Sequence, residues 1–200
     1  MYQFIETIQI LDGQIFRLPY HNKRMNTTRA HFFHDVNDID LKDYIVSKHK
    51  QGKWKCRVVY TDNIQEISYS PYVMRNTQTL KAVSDNNIDY TYKSTNRQQL
   101  IDDYAKRDGQ DEVLIVRNGL ITDTSFTNVA LYDGKNWYTP AHPLLYGTQR
   151  ASLIDKGIIR EKDIRIEELS EYNDICLINA MIDFKELSLP VNQIKLLDKE

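Results

Sequence analysis

The chain has 200 residues, of which 41% are hydrophobic and 27% charged, and its formal net charge is −2. This length suffices for one large domain or two small domains, and the composition is ordinary for a soluble globular protein. The small net charge gives no general attraction to nucleic acid or an anionic membrane, and no apolar run is long enough to span a bilayer. We therefore expect a cytoplasmic protein with neither nucleic acid nor membrane as a partner.

The first half of the chain is predicted to contain strands and two helices. Asp12 and Gly13 are typical of a hairpin turn, and side chains recur at helical spacing between Met25 and Val36. The predicted strands are residues 4–10, 14–18, 53–61, 64–69 and 80–83, and the predicted helices are residues 21–36 and 41–50.

The second half is predicted to be richer in hairpins. Turns are indicated at Asn118–Gly119 and at Asp133–Gly134. The predicted strands are residues 112–117, 120–122, 128–132, 137–139 and 174–180, and the predicted helices are residues 94–106 and 149–157. Because strands and helices are segregated rather than strictly alternating, we expect an α+β fold. We place the domain boundary between residues 84 and 89, which gives an N-terminal domain of residues 1–84 and a C-terminal domain of residues 89–200.

The cysteines and histidines do not form a metal-binding pattern. Cys56 and Cys176 lie in apolar, strand-like runs and are interpreted as buried free thiols. The five histidines are scattered along the chain and are predicted to be surface or partly buried residues: His21, His31, His34, His49 and His142. We predict no metal site.

Lys93 and Asp123 are candidates for the chemistry of pyridoxal phosphate (PLP). A lysine that forms a Schiff base must be neutral when it attacks, and burial or a nearby cation can lower its pKa to permit this. Asp123 follows a short apolar strand, where its carboxylate could keep the pyridine nitrogen protonated and so let the ring take up electrons. Taken alone, Lys93 would more simply be a surface lysine, and Asp123 would be a strand-terminal aspartate.

Two polar turns and an arginine could bind the phosphate of PLP. Residues 124–128 concentrate hydroxyl groups and backbone amides in one turn, and Gly147 with Thr148 is predicted to begin a helix. A helix N-terminus binds phosphate through its N–H groups, although Thr148 is also an ordinary capping residue. The guanidinium of Arg24 is a natural phosphate partner, and Arg57 could meet a substrate carboxylate. Either arginine could equally be a solvated side chain.

In this order, the motifs resemble those of the fold-type IV PLP enzymes, the aminotransferase class IV family. That family includes branched-chain aminotransferases, D-amino acid aminotransferases and 4-amino-4-deoxychorismate lyases. The resemblance extends over nearly the whole chain. The similar segments are residues 6–8 with 12–13 (an early strand and hairpin), 21–25 (H-x-x-R-L), 93–97 (K-x-x-N), 122–128 (T-E-x-x-x-S-N) and 147–150 (G-I-T-R).

The resemblance implies a two-domain fold like that of D-amino acid aminotransferase, PLP as the cofactor, a small-molecule amine as the substrate and a homodimer. It implies that Lys93 bonds to PLP and transfers protons, and that Asp123 pairs with the pyridine nitrogen. The phosphate contacts that it implies come from Arg24, Phe126, Thr127, Thr148 and Gln149.

The chain departs from the family pattern at three places. Asp123 replaces the usual glutamate, and Thr148–Gln149 replaces the usual Ile-Thr or Ile-Met. The chain also starts at the strand that contains Glu6, so we expect it to lack the first strands of the family fold. Because those strands normally help to wall the substrate pocket, substrate specificity is the property that the resemblance constrains least.

Residues 176–181 favour one activity within the family. They are similar to the lyase-type strand end I-C-N-A-L-M, whereas aminotransferases tend to have a small Gly-Thr-Ala turn there that binds the α-carboxylate. Asn179 and Ala180, with Arg57, are therefore candidate substrate contacts. The resemblance favours a lyase that converts 4-amino-4-deoxychorismate to 4-aminobenzoate and pyruvate in folate biosynthesis. A class IV amino acid aminotransferase is the first alternative, and a PLP-binding homologue without turnover is the second.

Overall fold

The computed structural model describes residues 2–46 and 51–197. They form two structural units, of which the first comprises Met1–Met74 with Tyr92–Asn96 and the second comprises Arg75–Thr91 with Arg97–Glu200. The boundary predicted between residues 84 and 89 falls inside the second unit, because the strand that ends at residue 84 pairs with a later strand of that unit. The division into functional domains of residues 1–84 and 89–200 remains a prediction.

The first unit is an antiparallel sheet in the order β2-β1-β3-β4, accompanied by one long helix. Its elements are β1 (Phe4–Leu11), β2 (Gln14–Ile15), α1 (Leu18–Phe32), β3 (Lys53–Tyr60) and β4 (Ile64–Pro71). The predicted hairpin between β1 and β2 is present. Asp12 and Gly13 both have positive φ, at 48° and 85°, as a type I′ turn requires.

One face of β1 forms much of the core of the first unit. Side chains alternate along a strand, so Phe4, Glu6, Ile8 and Ile10 share a face, and all four are buried. Met25 of α1 is buried in the same cluster as the three apolar residues. The alternation thus places one carboxylate, that of Glu6, among apolar side chains.

The helices predicted at residues 21–36, 41–50 and 94–106 differ from those observed. The helix predicted at residues 21–36 is α1, which begins earlier, with Pro19 in its first turn. The helix predicted at residues 41–50 is wrong within the described residues, where only a 3₁₀ turn, Leu41–Asp43, forms. Residues 47–50 lie outside the described residues. The helix predicted from residue 94 begins at Gln98, because Ser94 forms a bridge with Phe4 of β1 instead.

The second unit is built on a larger mixed sheet. Its path runs β10-β9-β8-β7-β6-β5-β13, and β11 joins β8 to β12. The strands are β5 (Leu80–Ser84), β6 (Glu112–Arg117), β7 (Leu120–Thr124), β8 (Asn128–Tyr132), β9 (Trp137–Pro140), β10 (Arg160–Lys162), β11 (Asp174–Ile178), β12 (Ser188–Pro190) and β13 (Ile194–Lys195). The helices are α2 (Gln98–Ala105) and α3 (Thr148–Asp155). Strands β10, β12 and β13 were not predicted, because two or three residues carry no usable periodicity.

The remaining fold-level predictions have clear outcomes. Cys56 and Cys176 are free and buried, as predicted. The predicted turn between β6 and β7 is present, since Asn118 and Gly119 have φ of 53° and 76°. Within the described residues, no helix combines the length and apolar character that crossing a bilayer would require.

Candidate active site

Lys93 lies in the segment of the first unit that returns to β1. Its carbonyl oxygen accepts a hydrogen bond of 2.9 Å from the amide of Ile5. The preceding ring, Tyr92, stacks on His31 and meets Phe32 edge-on, with ring centroids 4.8 Å apart in both pairs. Lys93 itself is partly buried. The lysine side chain therefore projects from backbone that is fixed by pairing and by aromatic packing.

Glu6, His21 and Arg24 form a buried network in the first unit. Glu6 lies 2.6 Å from His21 Nδ1, and it accepts bonds of 2.8 and 2.5 Å from Nε and Nη2 of Arg24. Glu6 and His21 are completely buried, whereas the Arg24 side chain is 15% exposed. The forked contact fixes the plane of the guanidinium.

The electrostatics of this network keep its carboxylate ionised. Burial alone raises the pKa of Glu6, but the positive charge of Arg24 and the hydrogen bonds from His21 and Arg24 outweigh it and lower the pKa to about 2. Burial also lowers the pKa of His21 despite the neighbouring carboxylate. A neutral His21 must then carry its proton on Nδ1, because ionised Glu6 can only accept.

The histidine predictions are partly wrong. His21 was predicted to be a surface or partly buried residue, yet it is fully buried, because Glu6 supplies a hydrogen-bond acceptor inside the core. His31, His34 and His142 are exposed, and His49 lies outside the described residues.

Asp123 is the buried carboxylate of the second unit. It is the last but one residue of β7 and lies directly opposite Asn128 of β8, and its Oδ1 accepts a 2.8 Å bond from Asn128 Nδ2. Its Oδ2 accepts a 2.9 Å bond from the amide of Leu145. Burial raises the pKa of Asp123 to about 6, although these donors and the charge of Arg150 oppose the rise. Both oxygens are thus oriented, and a positively charged N–H would stabilise the ionised form.

Gly147 precedes α3 and has no room for a side chain. Its φ and ψ of −70° and 144° suit any residue, but a Cβ there would lie 1.9 Å from Asn128 Oδ1. Close approach, rather than backbone conformation, therefore requires glycine. The sequence offered one signal for Asn128, namely its place at the end of the 122–128 motif, but its contacts could not be read from that pattern.

The first turn of α3 is buried and polar. Thr148 and Gln149 are 3% and 5% exposed. The carboxamide of Gln149 makes no hydrogen bond to any other described residue. A polar turn at a helix N-terminus fits a ligand with hydrogen-bonding oxygens, such as a phosphate.

The turn between β7 and β8 is internally hydrogen-bonded. Thr124 Oγ1 accepts from the amides of Phe126 and Thr127, at 3.3 and 2.9 Å, and lies 2.7 Å from Thr127 Oγ1. The backbone amides of Phe126 and Thr127 are therefore directed at Thr124. The phosphate contacts of Phe126 and Thr127 remain predictions.

The turn after β11 is held by one side chain. Asn179 Nδ2 donates to the carbonyl of Phe126 at 3.2 Å, and Asn179 Oδ1 accepts from the amides of Met181 and Ile182 at 2.8 and 3.0 Å. Ala180, within this turn, is partly buried. The amides at this turn are thus occupied by the protein itself.

The predicted site residues divide between the two units. Those in the first unit are Arg24, Arg57 and Lys93; those in the second are Asp123, Phe126, Thr127, Thr148, Gln149, Asn179 and Ala180. Arg57 is partly buried on β3, opposite Thr7 of β1. Hydrogen bonds connect Asp123 to the segment before α3, and Phe126 to Asn179.

The amino-transferase class IV family matches residues 3–187, which is most of the chain. The protein belongs to the class IV aminotransferase family. Its fold is that of the fold-type IV enzymes, and PLP is its cofactor, as the motifs predicted. The buried carboxylate of Asp123 and the polar first turn of α3 fit the pyridine nitrogen and the phosphate of PLP, respectively.

Three relatives illustrate this membership. An uncharacterized protein from Haemophilus influenzae is 32% identical over 185 residues, which cover 90% of this chain and 98% of the relative. A crystal structure of a "putative 4-amino-4-deoxychorismate lyase" from Haemophilus somnus 129PT is 32% identical with a TM-score of 0.86, covering 92% of this chain and 98% of that one. A "Putative aminodeoxychorismate lyase" from Schizosaccharomyces pombe is 25% identical, covering 86% and 83%. The chain is thus a PLP-dependent enzyme of the lyase or aminotransferase type.

Proposed function

We propose that this enzyme is a 4-amino-4-deoxychorismate lyase, which forms 4-aminobenzoate and pyruvate in folate biosynthesis. The observation that carries the proposal is the turn after β11, where Asn179 Oδ1 already accepts from the amides of Met181 and Ile182. An aminotransferase of this family would use backbone amides of a small turn there for the substrate α-carboxylate. The names of the Haemophilus somnus and Schizosaccharomyces pombe relatives also support the lyase.

The proposed roles follow from the chemistry of each side chain. PLP, when bound, supplies the electron sink for the carbon that bears the substrate amine. Lys93 would hold PLP through its Nζ, and once the substrate amine had replaced it, the freed neutral Nζ would accept the proton from that carbon. Asp123 would pair with the pyridine N–H, and this positive neighbour would keep its carboxylate ionised.

Five residues are the proposed phosphate contacts. Arg24 supplies charge, and its guanidinium is already oriented by Glu6. The first turn of α3 supplies Thr148 and Gln149, and the β7–β8 turn supplies Phe126 and Thr127. Arg57 and Ala180 are proposed substrate contacts. We further propose that the enzyme acts as a homodimer in the cytoplasm.

The deciding experiment has two stages. Purified protein is titrated with PLP, its visible spectrum is recorded before and after borohydride reduction, and the modified residue is mapped by mass spectrometry. The holoenzyme is then given 4-amino-4-deoxychorismate, and 4-aminobenzoate and pyruvate are measured separately. Attachment at Lys93 with equimolar release of both products supports the lyase.

Other results would select the alternatives. Keto acid formation from a panel of amino acids, without 4-aminobenzoate release, would identify an aminotransferase. PLP that binds but is not trapped on Lys93 would identify a homologue that binds the cofactor without turnover. Light scattering of the holoenzyme tests the proposed homodimer.

A further inference from the structure

Arg150 is a buried cation in the first turn of α3. The helix begins at Thr148, and Arg150 is only 3% exposed. Its side chain reaches from the helix to β9, where Nε donates to Thr139 Oγ1 at 3.3 Å and Nη2 donates to the carbonyl oxygen of Pro140 at 2.8 Å. Because an arginine is almost never fully buried unless it is paired, these contacts account for its position inside the protein.

An ion pair extends the contacts of Arg150 to the next strand. Its Nη2 also donates to Glu161 Oε1 on β10 at 2.6 Å, and the side chain of Glu161 is 47% exposed. Strands β9 and β10 are parallel neighbours, with Glu161 opposite Thr139. The guanidinium of Arg150 therefore joins the helix to two adjacent strands, and bonds from a planar fork to several acceptors hold it in one orientation.

The same hydrogen-bonded chain continues to the strand that faces Asp123. Thr139 Oγ1 donates to the carbonyl oxygen of Val129 on β8 at 2.8 Å. Val129 follows Asn128, which lies opposite Asp123 and donates to its carboxylate. Burial raises the pKa of Asp123, and the charge of Arg150 is among the influences that oppose this rise. Arg150 is thus attached to the strand that orients the carboxylate proposed to meet the pyridine nitrogen.

The first turn of α3 depends on attachments outside the helix. The first N–H groups of an α-helix have no partner within the helix, and its N-cap, Gly147, has no side chain that could accept from them. Thr148 and Gln149, the two residues before Arg150, provide the turn that fits a phosphate. A side chain that fixes this turn against β9 and β10 also fixes the direction in which its N–H groups point.

We propose that Arg150 is a positioning residue of the cofactor site, which holds the first turn of α3 where Thr148 and Gln149 bind the phosphate of PLP. The proposal rests on the proposed function, because Thr148 and Gln149 are proposed phosphate contacts. Arg150 itself does not touch the phosphate. Its Nε and Nη2 are directed at β9 and β10, and the ring of Tyr146 lies against its guanidinium, with the centroid 5.7 Å away.

The test compares PLP with pyridoxal, which lacks the phosphate. Titrations of the PLP-free protein measure both Kd values for the wild type, Arg150→Gln, Arg150→Lys and the control Arg160→Gln, a change at an exposed arginine of β10. We expect each Arg150 variant to weaken PLP binding at least about tenfold and pyridoxal binding less than about twofold. The control should leave both constants unchanged. Equal losses for the two ligands would overturn the proposal, because they would report general damage to the fold.

Two variants separate positioning from simple attraction between charges. Arg150→Lys keeps the positive charge but loses the planar fork, so an unchanged Kd for PLP in this variant would refute positioning. Glu161→Gln removes a half-exposed negative charge and should leave the fold intact even if the Arg150 variants do not fold. Simple attraction predicts tighter PLP binding for Glu161→Gln, whereas positioning predicts PLP binding about threefold weaker. Unchanged or tighter PLP binding by Glu161→Gln would overturn the proposal.

A further variant separates the failure of this proposal from that of the proposed function. Gln149→Ala tests the phosphate contact directly. If it reduces the preference for PLP over pyridoxal while the Arg150 and Glu161 variants do not, the role of Arg150 is refuted and the phosphate contact stands. If the wild type itself shows no preference for PLP, both are refuted. Release of 4-aminobenzoate is measured separately, because a protein without lyase activity can still show the expected pattern of Kd values and support the role of Arg150.

Discussion

Asn128 ties Asp123 to the segment that leads into α3. Its Nδ2 lies 2.8 Å from Asp123 Oδ1 and 2.7 Å from the carbonyl oxygen of Leu145. Because Asp123 and Asn128 are opposite each other across the β7–β8 hairpin, the turn between them sets this geometry. The orientation of the proposed cofactor-binding carboxylate thus depends on a neighbouring amide.

Gly147→Ala should destabilise the protein by about 1–3 kcal/mol, because the added methyl group would displace Asn128. Urea unfolding measures this cost. In an Asn128→Ala background the clash is gone, so the same substitution should cost much less. Equal costs in the two backgrounds would show that the close approach of Gly147 to Asn128 does not constrain the native structure.

Asp123 should make stability fall as pH rises from about 4 to about 6. Its pKa in the folded protein is about 6, above the ordinary value of 3.8, so the folded state binds more protons in this window. The free energy of unfolding should fall by about 2–3 kcal/mol in total. We expect urea unfolding of the PLP-free proteins to show that the free energy of unfolding of Asp123→Asn rises relative to that of the wild type across this window. A constant difference between the two proteins would contradict the raised pKa.

Glu6→Gln should show the opposite pH dependence. The pKa of Glu6 is about 2 in the folded protein, so its contribution is present above about pH 4.5 and is lost as pH falls toward 2. At pH 7 the substitution should cost about 3 kcal/mol of unfolding free energy, and at pH 3 less. Glu66→Gln, on the exposed part of β4, is the matched control and should change stability little.

Lys93→Ala should prevent borohydride trapping of PLP and lower turnover by at least about 10²-fold, because the amine that bonds PLP and moves the proton is gone. The fold should persist, since alanine keeps the carbonyl that accepts from Ile5. Lys156→Ala, an exposed lysine after α3, is the control. If Lys93→Ala retained wild-type turnover, the role of this lysine would be refuted.

Features decided by adjacent residues were predictable. The Asp12–Gly13 and Asn118–Gly119 turns follow from local backbone preferences, and most strands follow from alternation. The predictions that were wrong also have a physical reason. Ser94 does not begin a helix because the chain there pairs with β1, and no local pattern reports a partner ninety residues away in the sequence.

The sequence by itself determined the family and the order of its motifs, because these depend on residue types at fixed spacing. Only the tertiary structure decided which groups meet. The sequence indicated a surface or partly buried His21, but the fold places the Glu6 carboxylate of β1 against it and buries both residues. Burial and hydrogen bonding set the charge of Glu6 and Asp123, and both are properties of contacts between segments that are distant in the chain.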